Sequence, residues 1–311
     1  AEVQTADFEV FENAKDPKLW GRVKSLDEKR GVVIKLDGLA YGKGVLVANT
    51  REECETFLKL HENSPQKIVV EEKVEGEEIS LFAFCDGESA KLFEVARDYK
   101  RVFDGDLGPN TGGMGSYSPV EVGAAWAKQA SKEVFRRVLK IMQERGIPFK
   151  GLLFAGLMCD PKTKMMNVLE FNARFGDPET QAVLPRLQSD LLEILNRSID
   201  PGGLGQATLD WSGDSAVTVV MASAGYPASS SKGDVIRGLD SVEGVELTHA
   251  GTAQRGSEIV TEGGRDLDIT ALGATISQAR DRAYEADEKI SFQGAQYRRD
   301  IAAKVAGQAI I

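Results

Sequence analysis

Apolar residues along this chain fall mostly into short alternating or continuous runs broken by glycine, proline and acidic turns, a pattern that predicts many strands and a few helices. VQTADFEVF (3–11) ends a linker or opens a strand, and GVVIKL (31–36) and GVLVAN (44–49) read as two β runs joined by a glycine loop. TREECETFLKL (50–60) begins on a threonine cap, carries early glutamates and spaces its apolar residues by three and four, which predicts a helix. KIVVEE (67–72), EISLFAF (78–84) and AKLFEVA (90–96) are strand-like, so residues 1–90 read as a small α+β lobe. An amphipathic helix is expected near 122–145. A hairpin should run from LLFAGLM (152–158) through DPKTK to MMNVLEF (165–171). A further helix is expected from Pro178 to about Arg197, with Asp177 placed to cap it. The glycine-rich segment 197–214 marks a boundary. Beyond it SAVTVVMAS, GDVIRGLD, VELTHAGT and DITALGAT predict a β-rich terminal subdomain closed by helices at 275–290 and 296–308.

Composition narrows the function classes. The 311 residues carry a formal net charge of −10, from 38 basic and 48 acidic side chains, and no block of lysine or arginine forms a face. Nucleic acid and anionic membrane surfaces are therefore disfavoured as partners, and any anionic ligand must be met by local chemistry. The three cysteines, Cys54, Cys85 and Cys159, are far apart, and the two histidines, His61 and His249, stand alone. That argues against a zinc site, a disulfide framework and Ser/His/Asp catalysis. No apolar run approaches ~18 residues and the N-terminus does not read as a signal peptide, so the expected compartment is the cytoplasm.

Four stretches carry candidate chemistry. GLAYGKG (38–44) has the glycines to let backbone N–H groups approach a phosphate, but its spacing is one residue short of a P-loop and its flanks are both strands. It reads either as a hairpin turn or as a phosphate flap. Lys35, inside the apolar run VVIKLDG, favours the flap, because a lysine there must find an anion. VVEEKVEGEEIS (69–80) reads as an acidic hairpin, or as a hinge whose backbone at Glu72 to Val74 meets a base edge while Glu77 or Glu78 accepts from a ribose hydroxyl. In VLEFNARFGDPETQ (168–181), strand periodicity puts Glu170 and Asn172 on one face, a pair of oxygen donors suited to Mg²⁺, with Arg174 and Asp177 in the turn that follows. A surface ion-pair network is the competing reading. RDYKRVFDGDLGPNTGGMG (97–115) mixes cations, carboxylates and glycines with almost nothing to build a core.

Taken together, VVIKLDGLAYGKGV, RDYKRVFDGDLGPNTGGMGSYSP, GLLFAGLM, LEFNARFGDPETQAVLPRLQSDLL and QYRRDI resemble the ATP-grasp ligases, and among them the glycinamide ribonucleotide synthetase (phosphoribosylamine-glycine ligase) family. The similarity runs from about residue 3 to about residue 301. The resemblance implies an α+β ATP-grasp fold. Its parts would be an entry strand at 1–24, a lid subdomain at 25–90, a large antiparallel-sheet lobe at 91–200 with the substrate and metal site, and a β-rich C-terminal subdomain at 201–311. It implies that Lys35 contacts ATP phosphates beneath the glycine loop, with Gly42, Lys43 and Gly44 in that loop. Glu72 and Val74 would meet adenine and Glu78 the ribose. Glu170 and Asn172 would hold Mg²⁺, with Mn²⁺ as the alternative ion, and Arg174 would orient the glycine carboxylate. The substrates implied are glycine and 5-phosphoribosylamine, joined through glycyl phosphate. Asp104 or Asp106 would face a substrate amine as catalytic carboxylates. Lys100, Arg101, Asp177 and the backbone from Asn110 through Thr111 and Gly112 to Gly113 would face other substrate groups. Family members typically carry a further N-terminal domain ahead of the ADFEVF-like segment, so a truncated chain, a fragment, or one piece of a split or larger protein is expected. A nucleotide-binding fragment and an ATP-grasp ligase for another acceptor are the competing readings.

Overall fold

Antiparallel pairing of short alternating strands builds the first part of the chain. In the computed structural model, which describes residues 1–25, 31–38, 44–48, 50–121 and 123–307, β1 (Phe8–Phe11), β2 (Val32–Leu36), β3 (Val45–Ala48) and β4 (Ile68–Glu72) form one sheet in the order β1-β4-β2-β3. Val32 and Ile34 of β2 and Ile68 and Val70 of β4 face a core completed by Leu19 and Val23 of α1 (Leu19–Ser25) and Cys54 and Leu58 of α2 (Arg51–Leu60). The helix starts where the sequence placed it: Thr50 accepts from the Glu53 N–H, and the Glu53 carboxylate accepts from the Thr50 N–H.

By contact density the chain divides into two compact units, one of residues 4–77 with 158–169 and one of 1–3, 78–157 and 170–311. The boundary falls at the start of β5 (Glu77–Asp86). That strand, with β6 (Ala90–Leu92), β11 (Lys150–Cys159) and β12 (Met166–Asn172), forms a sheet in the order β12-β11-β5-β6. The helical run expected near 122–145 comprises α3 (Gly123–Ala130) and α4 (Arg136–Glu144), joined by a π-turn at Ser131–Phe135.

The stretch 97–115 becomes β7 (Arg97–Asp98), β8 (Arg101–Phe103), β9 (Leu107–Asn110) and the start of β10 (Gly115–Ser118). The C-terminal strands do not form a sheet of their own. β13 (Ser215–Ala222), β14 (Glu246–His249) and β17 (Arg265–Gly273) join β10 and β7 in the order β14-β17-β13-β10-β7. β15 (Thr252–Arg255) and β16 (Glu258–Thr261) pair separately, and α7 (Ile276–Asp287) packs on β13 and β17. One shared sheet thus places the C-terminal strands beside β10, at the end of the 97–115 stretch.

Four expectations need correction. The helix from Pro178 to Arg197 is two helices, α5 (Glu179–Val183) and α6 (Leu191–Arg197), separated by a 3₁₀ turn at Leu184–Arg186. Pro185 has no N–H to continue the ladder, and Asp190 caps the restart by accepting from the N–H groups of Leu192 and Glu193. Asp177 caps nothing; it accepts from Arg265 and Gln181 instead. Residues 296–307 are not a helix but a bridge at Gln296 followed by turns, because the polar groups of Arg298 and Asp300 bond elsewhere. GDVIRGLD contributes only single bridges at Val235 and Arg237.

Candidate active site

In the first unit, β2 and β4 turn alternate residues away from the core, and on that outer face Lys35 finds its anion. Its Nζ lies 2.8 Å from Glu71 Oε2 and donates to the Leu169 carbonyl at 3.1 Å. Lys35 stands opposite Val69, so Glu71 is its diagonal cross-strand neighbour. Glu72 is tied to Asp7 twice: its N–H donates to the Asp7 carbonyl, and its Oε1 accepts from the Asp7 N–H. Val74 follows as partly buried chain beyond β4. Gly44 donates no side chain, and its carbonyl accepts from the Leu36 N–H at 2.8 Å. Gly42 and Lys43 lie outside the described residues.

In the second unit the structure gathers residues that the sequence left in separate motifs. Lys100 is ion-paired with Glu78. Burial opposes its charge, but the carboxylates of Asp98, Glu78 and Glu170 outweigh that and hold the ammonium above the usual lysine range. Burial drives Asp98 well above the ordinary carboxylate range against the pull of Lys100, and one of its oxygens has no hydrogen-bond partner. Glu179, also buried, is pushed up by desolvation and accepts from Ser80 Oγ at 2.8 Å. Glu170 and Asn172 are side by side at the exposed end of β12, with Asn172 Nδ2 donating to Glu170 Oε1 at 3.2 Å. Arg174 follows in the turn, donating to the Phe175 carbonyl.

The donor set fits a hard cation. A carboxylate and an amide that presents its oxygen by rotating about χ2 suit Mg²⁺, which binds proteins through one or two side chains and completes its shell with water and phosphate. Among the described residues no group of three or more His, Cys, Asp or Glu side chains could hold a metal alone. The cysteines are free and buried, and desolvation pushes Cys54 up to about 11 and Cys85 and Cys159 up to about 12, which leaves them unreactive.

Other expected site residues turn toward the C-terminal segment. Asp104 accepts from the Arg299 N–H at 2.7 Å, and Asp106 accepts from Arg298 Nη1 at 2.8 Å. Arg101 donates to the Gly108 carbonyl. The 110–113 loop, expected to present its amides to an anion, uses them internally. Thr111 N–H donates to the Lys100 carbonyl, Gly112 N–H to the Tyr226 hydroxyl and Gly113 N–H to Thr111 Oγ1. Asn110 stands opposite Arg101 in the β8–β9 pair. Sequence reading missed Asp98, Glu179, Tyr226, Arg265 and Arg298. Asp98, Glu179 and Arg298 lie inside the strings RDYKRVFDGDLGPNTGGMG, VLEFNARFGDPETQ and QYRRDI without drawing a role from them, whereas Tyr226 and Arg265 left no trace.

Comparison with known proteins bears on what this arrangement serves. The profile of the phosphoribosylglycinamide synthetase ATP-grasp (A) domain matches residues 1–180, and that of the same enzyme's C domain matches residues 216–304. The chain belongs to the phosphoribosylglycinamide synthetase family. A phosphoribosylamine-glycine ligase of Mesorhizobium japonicum is 47% identical over 278 residues, covering 87% of this chain and 65% of that protein. One of Brucella melitensis is 44% identical over 308 residues, covering 96% of this chain and 70% of its own length. The crystal structure of the Thermotoga maritima phosphoribosylamine-glycine ligase superposes with a TM-score of 0.82 at 35% identity, over 96% of this chain and 75% of that one. The chain therefore spans about two thirds of the length of the curated relatives it matches. It has the α+β ATP-grasp fold of the phosphoribosylglycinamide synthetases, and among the described residues no helix is long and apolar enough to cross a membrane.

Asp268 of β17, paired between β13 and β14 in the second unit, has a pH signature. Asp268 is buried, and desolvation, helped by the charge of Asp177, pushes its carboxyl up to about 6 although Gln181 donates to it and Arg265 lies near. The folded state therefore favours neutral Asp268. Its contribution is fully present below the unfolded carboxyl's pKa near 4 and is lost as pH rises through about 6. Asp268→Asn keeps the acceptor for Gln181 and removes the ionisation. Urea denaturation should find the variant more stable than wild type by roughly 1–3 kcal/mol at pH 8 and about equal at pH 4. A difference that does not vary with pH would refute the assignment.

Proposed function

We propose that this chain catalyses ATP-dependent amide formation between glycine and 5-phosphoribosylamine. What carries the reading is the end of β12: Glu170 beside Asn172, Arg174 in the next turn, and Lys100 held among Glu78, Asp98 and Glu170. The name carried by the family's curated members supports it. In this reading Arg174 pairs with the glycine carboxylate, one oxygen of which attacks the γ-phosphorus of ATP. The bond to the β–γ bridging oxygen breaks, ADP leaves and glycyl phosphate forms. The amine nitrogen of phosphoribosylamine then attacks the acyl carbon, the bond to the phosphate oxygen breaks, and the departing phosphate takes the amine proton. No enzyme nucleophile takes part, which agrees with the buried, unreactive thiols.

Catalysis of this kind is positioning and charge neutralisation. Lys35, now paired with Glu71, is the group we assign to the ATP phosphates, and Gly42, Lys43 and Gly44 are assigned to the same phosphates. Glu72 and Val74 are assigned to adenine and Glu78 to the ribose; the Glu78 role requires its pair with Lys100 to open or be shared. Mg²⁺, with Mn²⁺ as alternative, would be held by Glu170 and Asn172 and supplies neutralisation of phosphate charge when bound. Asp104 and Asp106 hold the 97–115 stretch in place rather than exchange protons, since each already accepts from the 298–299 segment. Water has to be excluded because an acyl phosphate hydrolyses readily.

The share of its relatives that the chain spans favours a second reading, a nucleotide-binding part whose turnover needs the rest of the protein. ADP release by the 311-residue chain, with and without glycine and phosphoribosylamine, separates the two. The ligase reading expects release that depends on glycine. Binding of Mg-ATP without glycine-dependent release would replace it with the second reading.

A further inference from the structure

The GPNTGG loop looks in sequence like a cradle for an anion, yet its amides at Thr111, Gly112 and Gly113 are all occupied by protein acceptors. Its glycines serve a different requirement, the close approach of other chain segments. A Cβ on Gly113, whose φ is +118°, would lie 2.3 Å from Pro178 Cδ, and one on Gly112 would lie 2.9 Å from Arg265 Nη2. The loop is therefore packed against the turn that joins β12 to α5. Arg265, at the start of β17, bonds both. Its Nη1 donates to the carbonyls of Gly112 at 3.0 Å, Gly113 at 3.3 Å and Asp177 at 2.8 Å, and its Nη2 donates to Asp177 Oδ2 at 2.9 Å. Gln181 holds the other Asp177 oxygen, and Ser116 Oγ donates to the Pro178 carbonyl. One guanidinium thus joins the loop and the turn through four acceptors, a geometry that the planar fork of arginine can satisfy and a lysine ammonium cannot.

We propose that Arg265 is a positioning residue for Arg174: together with the 111–113 loop it fixes the turn at 173–178, and so sets where the Arg174 guanidinium meets the carboxylate substrate. The inference rests on the reading of Arg174 given above. It assigns to the C-terminal part of the chain, which supplies β17, a share in recognising the carboxylate substrate. Arg265 touches no reacting atom in this scheme.

The test pairs two variants that disturb the same junction from opposite sides, Arg265→Met and Gly113→Ala, with Arg174→Met and Arg265→Lys beside them, all in the full 311-residue chain. Amide hydrogen exchange should rise in segments 111–113 and 174–178 in both Arg265→Met and Gly113→Ala. Steady-state ADP release should show the KM for glycine raised by about 10-fold or more, with kcat and the KM for ATP changed by less than about threefold. Arg265→Lys should fall between wild type and Arg265→Met. Unchanged exchange at both segments, or an equal rise in the KM for ATP and for glycine, overturns the inference. If Arg174→Met leaves the glycine KM unchanged in a chain that turns over, the reading of Arg174 fails and the proposed link falls with it. If the wild-type chain does not turn over, exchange decides the positioning role by itself: a rise confined to the two segments supports it, and no rise overturns it.

Discussion

Glu170→Ala is expected to reduce glycine-dependent ADP release by about 10³-fold or more while leaving the fold intact. Glu170 stands at the exposed end of β12, where its loss opens no cavity and leaves Lys100 still paired with Glu78. The thermal midpoint should therefore move by less than about 2 °C, as for an ordinary surface substitution. Chemistry has no such substitute. Among the described residues no cluster of three metal-binding side chains offers a second site, so removing the carboxylate leaves Asn172 as the remaining proposed protein ligand. Glu170→Gln, which keeps the shape and loses the charge, should fall close to the alanine variant. Activity near that of wild type in Glu170→Ala would end the metal assignment, and unaltered binding of Mg-ATP would confine the defect to the chemical step.

The largest effect on stability is expected at Arg298, which is 1% exposed. Its Nε and Nη2 donate to the two oxygens of Asp300 at 2.7 and 2.6 Å, and its Nη1 donates to Asp106 at 2.8 Å and to the Arg101 carbonyl at 3.1 Å. The guanidinium also lies over the Tyr99 ring at 4.8 Å. Burial alone would raise the Asp300 carboxyl, but the hydrogen bonds and charge of Arg298 hold it below its ordinary value. Arg298→Met keeps much of the stem volume and removes the charge, which strands a buried carboxylate. The expected loss is about 3–5 kcal/mol at pH 7, read by denaturant unfolding. The sign with pH follows from the depressed carboxyl. In wild type the contribution of Asp300 is present above about pH 4 and is lost as pH falls through its lower folded value, so the deficit of the variant should narrow in acid. A loss below about 1 kcal/mol would show that the Arg298 knot is not what anchors the 101–106 segment.

Local chemistry made some of this legible in the sequence. Thr50 and Glu53 announce a capping box whatever surrounds them, and the alternation in VVIKL and IVVEE fixes which residues of β2 and β4 face the core. Glu170 and Asn172 follow from strand periodicity alone once β12 is a strand. Elsewhere a local pattern was outvoted. The apolar spacing after Pro178 favoured one helix, but Pro185 and the cap at Asp190 divide it. The spacing after Gln296 also suited a helix, but Arg298 and Asp300 bond to each other and to the 101–106 segment, far away in the chain.

By itself the sequence determined the strand-rich α+β character and the family, because its motifs are strings of residues whose identity does not depend on what they touch. Tertiary structure alone decided the partners of the stretch RDYKRVFDGDLGPNTGGMG. There the carboxylates of Asp104 and Asp106 are held by the 298–299 segment, the loop amides close on their own neighbours and on Tyr226, and Arg265 joins Gly112 and Gly113 to Asp177. The reason is the shared sheet. Pairing β13 with β10 and β17 brings residues more than 150 positions apart within hydrogen-bonding distance, and no periodicity within a single run of sequence records which distant strand it will pair with.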